Sequence, residues 1–227
     1  MTEKSKASQA NRPPLTDDEI RNLSIDDLLR IKLSDEEKAR RRQFNLEREQ
    51  RIKERSVRLN VEQSALLADL REVGWNVENV WDIATTRYRY PEAIPVLLKH
   101  LILPYSDRTR EGIARALAVK EPEAIKAWPL IVEEYRKAPS GWGPIGPGET
   151  QEFWLGTKSA LAATLAVLVT KDTMPELVEL AKDKSLGSSR ILLLSALRKS
   201  KSELAKQTID ELRNDPDVET EIRSWKR

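Results

Sequence analysis

The residue types that carry most enzyme chemistry are scarce in this chain. Its 227 residues include no cysteine and a single histidine, His100. Disulfides, thiolate nucleophiles, thiolate metal sites and multi-histidine cages are therefore excluded. Carboxylates remain, but Glu133-Glu134 and Asp17-Asp18 are sequence neighbours that point to different sides of a helix and share no proton. His100 falls near the end of a helical stretch, where a cation suits the helix dipole, and reads as structural. Trp81, Trp128 and Trp154, with Asp82 as the acid, would suit a base-holding cleft in a base-excision enzyme. Their apolar surroundings read more simply as core. The expectation is a protein that is not an enzyme and that needs no metal and no cofactor.

Residues suited to recognition are more plentiful. Arg87-Tyr88-Arg89-Tyr90 interleaves cations with aromatic rings, and Arg108, Arg110 and Arg115 follow. Such a set could grip phosphates or stack on bases. The first group also lies where one helix ends before Pro91, and cations there complement the dipole and solvate the turn. Trp142 stands in a second candidate region, 138–152, where Pro139, Gly141, Gly143, Pro144, Gly146, Pro147 and Gly148 oppose a helix and predict a loop. A tryptophan on such a loop serves as an anchor for a protein partner or folds back on its own domain. The glycines are not a phosphate-binding loop, because the Lys-Ser/Thr pair and a preceding strand are both missing.

These residues need helices to position them. Thr16-Asp17-Asp18-Glu19 and Ser34-Asp35-Glu36-Glu37 have capping-box spacing and start two helices. No Pro or Gly interrupts Ser34 to Val73, which as one helix would extend about 60 Å at 1.5 Å per residue. From Asp35 to Arg58 it carries nine basic and six acidic residues in 24 positions, with Phe44, Leu46, Ile52 and Val57 as its large apolar side chains. Lys38, Arg40, Arg41 and Arg42 are interspersed with acids, which blunts any field a polyanion would feel. Ile52, Leu59, Leu66 and Val73 recur every seven residues, but the companion positions Ser56 and Gln63 are polar, so a solvated helix is favoured over a coiled coil. Past Gly74, the spacing predicts helices over 91–103, 108–119, 122–137, 151–170, 175–183, 189–199, 202–213 and 216–226. The expected organisation is a polar disordered tail over 1–14, a short and a long charged helix over 15–73, and a repeat domain over 74–227.

A repeat is visible in that last region. Pro91-Glu92-Ala93-Ile94 recurs as Pro122-Glu123-Ala124-Ile125, with a looser copy at Pro175-Glu176-Leu177-Val178. A second motif interleaves with it, in Arg115-Ala116-Leu117-Ala118-Val119, Ala163-Thr164-Leu165-Ala166-Val167 and Ser195-Ala196-Leu197-Arg198. Two alternating helix types at a fixed period are what stacked helical hairpins require, because each hairpin leaves an apolar face that only the next can cover.

Val80-Trp81-Asp82, the stretch Tyr90 to Leu98, Arg110 to Val119, and Ser188 to Arg198 together resemble small bacterial HEAT-repeat-domain proteins. The likeness covers roughly 65–225 and leaves the charged N-terminal helix outside it. It implies an all-α, HEAT-like α-solenoid of stacked helical hairpins used for binding, without catalytic residues. The regular Asp and Arg ladder of many such repeats is present only as isolated candidates: Asp107, Arg110, Asp217 and Arg223.

The formal net charge of +2 gives no global attraction to polyanions, so any nucleic-acid contact must come from a local patch. The polar N-terminus has no apolar signal core, and the longest strongly apolar run, Leu161 to Val169, is far short of the roughly 20 residues a spanning helix needs. The expectation is a cytoplasmic protein without a membrane partner. It would bind a protein partner by occlusion or scaffolding, for instance as an immunity or regulatory protein, with Trp142, Arg87, Tyr88, Arg89, Arg108, Arg110 and Arg115 as candidate contacts. The alternative is a nucleic-acid-binding helical-repeat protein.

Overall fold

The computed structural model describes residues 12–225, and among them the chain is predominantly helical, with almost no strand. It divides into two compact units, residues 1–56 and 57–227. The tail expected over 1–14 lies outside the described residues as far as residue 11.

The first unit holds α1 (Asp17–Asn22), α2 (Ile25–Arg30) and most of α3 (Asp35–Glu62). Both expected capping boxes form: the Glu19 amide donates to Thr16 Oγ1 at 3.3 Å, and the Glu37 amide to Ser34 Oγ at 3.2 Å. A third box, Ser24 with Asp27, starts α2. Six residues are too few for an apolar period to register, so α2 is not anticipated from the sequence pattern. Glu37 is the hub of this unit. Its buried carboxylate accepts from the Arg12 guanidinium at 2.9 Å, from the Leu15 amide at 2.9 Å and from the Ser34 amide at 2.8 Å. These donors hold its carboxyl well below the usual range, at about 2, with the Arg12 contact the largest cause.

The second unit contains α4 (Ser64–Glu72), α5 (Val80–Thr85), α6 (Ile94–Leu101), α7 (Asp107–Ala116), α8 (Pro122–Lys126) and α9 (Trp128–Lys137). It continues through α10 (Thr157–Leu168), α11 (Met174–Lys182), α12 (Ile191–Lys199), α13 (Glu203–Glu211) and α14 (Glu219–Ser224). The single helix expected from Ser34 to Val73 is interrupted at Gln63. There the buried Gln63 side chain accepts from the Val80 amide at 3.0 Å and donates to Thr109 Oγ1 at 3.2 Å. Tertiary hydrogen bonds, not a breaker residue, mark this boundary. The 122–137 segment is likewise split, with Pro129 inside the first turn of α9, where its missing amide hydrogen costs nothing.

Packing follows a regular order. Helix α7 lies between α5 and α10, and α10 in turn packs on α9 and α12; α12 contacts α11 and α13. Helix α6 contacts α4, α7 and α8, and α11 contacts α13. Small residues set these approaches. Ala114, Ala116, Ala160 and Ala162 are buried at the contacts, and Thr164 Oγ1 donates to the Ala114 carbonyl at 2.7 Å. Gly112 is where α5 meets α7, because a Cβ there would stand 2.5 Å from Val80 Cγ1. Charged pairs join successive segments: Arg89 with Glu121, Arg110 with Glu134, Arg136 with Asp183, and the fully buried Arg190 with Asp215. His100 is buried, with Nε2 2.9 Å from Asp69 and Nδ1 2.7 Å from the Tyr105 hydroxyl, so it ties α4 to the far end of α6.

Candidate functional site

Between α9 and α10 the expected loop contains a short ribbon, β1 (Trp142–Gly143) paired antiparallel with β2 (Phe153–Trp154). The 151–170 helix predicted from sequence therefore begins only at Thr157. Its start is held from α7: the Asp107 carboxylate accepts from the Gly156 amide at 2.8 Å and the Thr157 amide at 3.0 Å, satisfying two orphan donors of the new helix. The loop is pinned at further points. The Arg108 amide donates to the Ile145 carbonyl at 2.9 Å, Arg58 Nε to the Pro147 carbonyl at 2.6 Å, and the Leu155 amide to the Gly141 carbonyl at 2.9 Å. Gly141 carries a φ of +97°, which suits glycine at the bend.

On this anchored ribbon Trp142 and Trp154 stand opposite each other, 67% and 56% exposed. Trp154, read from the sequence as core, is a correction: its position in a two-residue strand sends it outward beside Trp142, while the Leu155 that follows it is buried. Trp128 is a core residue as expected, with its indole Nε1 donating to Glu176 at 2.6 Å.

The candidate arginines separate into two groups. Arg87, Tyr88, Arg89 and Arg115 line one pocket of about 350 Å³ together with Lys120 and Glu121. Within it Arg89 is bound in a fork to Glu121, at 3.0 and 2.9 Å, and Tyr88 is 78% exposed. Arg108 and Arg110 lie elsewhere. Arg108 stacks over the Trp81 ring at 3.8 Å and pairs with Glu111, which also pairs with Arg115. Arg110 is mostly buried, pairs with Glu134 at 2.6 Å and lines a separate pocket of about 220 Å³ with Tyr105 and Pro144. Asp82 caps its own helix, accepting from the Glu78 and Asn79 amides at 3.0 Å each.

The chain matches no family model, no curated protein and no solved structure. Function therefore has to be read from the surfaces themselves. Among the described residues no cluster of His, Cys, Asp and Glu could hold a metal ion, and no helix is long and apolar enough to cross a membrane.

A further concavity is one that sequence reasoning does not find. It measures about 680 Å³, shares Lys120 with the smaller pocket, and opens where α10 and α12 end. Val167, Val169, Met174, Pro175 and Leu204 supply an aliphatic lining, and Lys120, Lys171, Lys199 and Lys201 stand at its exposed edge. Four of its fourteen lining residues are lysines and none is an acid. Helix C-termini attract cations, which accounts locally for the lysines of the α10 and α12 ends. The convergence of three chain segments, around 120, 166–175 and 196–204, is a tertiary property, and no local motif announces it.

Proposed function

We propose that this protein is a non-enzymatic binding protein, built as a HEAT-like stack of helical hairpins, that holds a protein partner for occlusion or scaffolding. The stacking reading is supported by the order of contacts, in which α5, α7, α10 and α12 touch one another in turn, as do α4, α6 and α8. The inter-segment pairs Arg89 with Glu121, Arg110 with Glu134 and Arg190 with Asp215 support it further, as a charged ladder would.

The observation that carries the partner reading is the exposed Trp142 and Trp154 pair on a ribbon fixed from α7. Tryptophan dominates protein interface energetics because it buries a large area with few rotors to freeze. A ribbon already ordered in the free protein removes part of the entropic cost of binding. The partner would be covered or positioned through this edge, as an immunity or regulatory protein covers its target. Parallel capture from source-cell extract by the wild-type chain and by Trp142→Ala/Trp154→Ala tests this. A defined protein band should be retained by the first and lost by the second; equal retention by both would remove the ribbon from the interface.

A second reading, nucleic-acid binding, has one favouring observation: Arg87 and Lys120 beside the exposed Tyr88 in the smaller pocket, where Arg115 is already paired with Glu111. Cations next to an exposed ring suit a phosphate and a stacked base. Arg108 and Arg110, engaged by Glu111 and Glu134, do not add to that patch.

A further inference from the structure

We propose that the lysine-edged groove at the ends of α10 and α12 is a second docking site, and that it takes an acidic peptide segment anchored by aliphatic side chains. Two features carry this. The lining offers aliphatic surface, from Val169, Met174 and Leu204, that only an apolar side chain would cover with profit. Around it stand Lys171, Lys199 and Lys201, which form no ion pair among the described residues. Like-signed, unpartnered charges beside an apolar floor are complementary to a carboxylate-bearing, leucine-like segment.

The same features argue against a nucleic acid as the occupant. No aromatic side chain lines the groove to stack on a base, and its cations are lysines without the planar fork that grips phosphate in two places. The groove has a volume of about 680 Å³ and is open to solvent, which suits an extended segment laid along it with side chains entering the apolar floor. The groove opens at the C-terminal end of α10, whereas the tryptophan ribbon precedes its N-terminal end, so the two sites are separate.

The test is fluorescence anisotropy on the full chain. The probe is a fluorescein-labelled, glutamate-rich peptide carrying two leucines four residues apart. Controls are the same peptide with both leucines replaced by serine, and a single-stranded oligothymidine. The leucine peptide should bind saturably and weaken about tenfold or more with Lys171→Glu/Lys201→Glu, and similarly on loss of its leucines. Both lysines are exposed, so this variant should fold, and the peptide series on the unmodified chain keeps the test decisive if it does not. No saturable binding, equal binding by the charge-reversed variant, or displacement of the peptide by oligothymidine at lower concentration would each overturn the proposal. Trp142→Ala/Trp154→Ala should bind the peptide unchanged, so failure here is distinguishable from failure of the ribbon.

Discussion

Trp142 and Trp154 face each other across a two-residue ribbon with ring centroids 6.1 Å apart and planes at 89°, the edge-to-face geometry that aromatic pairs prefer. Each indole supports the other while both remain exposed. Such a pair contributes about 1 kcal/mol beyond burial, so Trp142→Ala should lower stability by no more than about that amount. Urea unfolding followed by circular dichroism checks this; a loss of several kcal/mol would mean that the ribbon belongs to the core.

Gly112 marks a close approach of α5 and α7. Gly112→Ala places a methyl group 2.5 Å from Val80 Cγ1 and against the Trp81 indole, so the buried, β-branched Val80 side chain must shift to admit it. Overpacking of this kind costs on the order of 2 kcal/mol, against the small gain alanine normally brings to a helix. A stabilised variant in thermal unfolding would contradict the packing described.

Arg190 is fully buried and held by Asp215 at 2.9 Å, Asp217 at 2.7 Å and the Ala181 carbonyl at 3.1 Å. Asp215→Ala leaves that guanidinium with fewer partners in the dry interior. Removing one member of a buried pair costs about 3 to 5 kcal/mol where no counter-charge remains; with Asp217 still on the guanidinium the loss should be on the order of 2 kcal/mol, above the roughly 0.5 kcal/mol expected for the exposed Lys206 and Glu203 pair. Denaturant midpoints of the two variants measure the contrast, and similar values would contradict it.

Glu37 links the first unit to pH. Its carboxyl is depressed from 4.5 to about 2 by Arg12 and by the Leu15 and Ser34 amides, so the folded state favours the charged form. The stability it contributes is fully present above the unfolded value of 4.5 and is lost as pH falls toward 2. The Leu15 and Ser34 amide resonances should titrate with a midpoint near 2; a midpoint near 4.5 would show that the hub is not formed. Glu37→Gln should cost on the order of 2 kcal/mol in this unit, since charge-assisted hydrogen bonds are replaced by weaker ones.

Much of the helical content was legible because it is encoded locally. Thr16 with Glu19 and Ser34 with Glu37 start helices where their spacing says, and Pro91, Pro122 and Pro175 open short helical segments as the repeat implies. The illegible parts are those decided by distant partners. Gln63 breaks a helix because Val80 and Thr109 need its amide, and Thr157 starts one because Asp107 caps it from 50 positions earlier. Trp154 looked like core because an aromatic in an apolar stretch usually is, yet strand alternation turns it outward and buries Leu155 instead. Of the candidate contacts, Trp142, Arg87 and Tyr88 present open surface, while Arg89 is paired with Glu121, Arg108 and Arg115 share Glu111, and Arg110 is taken up by Glu134. The lysine groove could not be read at all, since Lys120, Lys171, and Lys199 with Lys201 come from three separate segments.

The most direct test of the central claim is a calorimetric titration of the captured partner against the wild-type chain and against Trp142→Ala, at about 0.1 M and about 0.5 M salt. A ribbon-centred protein interface predicts a loss of at least about tenfold in affinity for the variant at both salt concentrations, with little change for the wild type as salt rises. Unchanged affinity for Trp142→Ala, or wild-type binding that collapses with salt as a polyanion complex does, would contradict it.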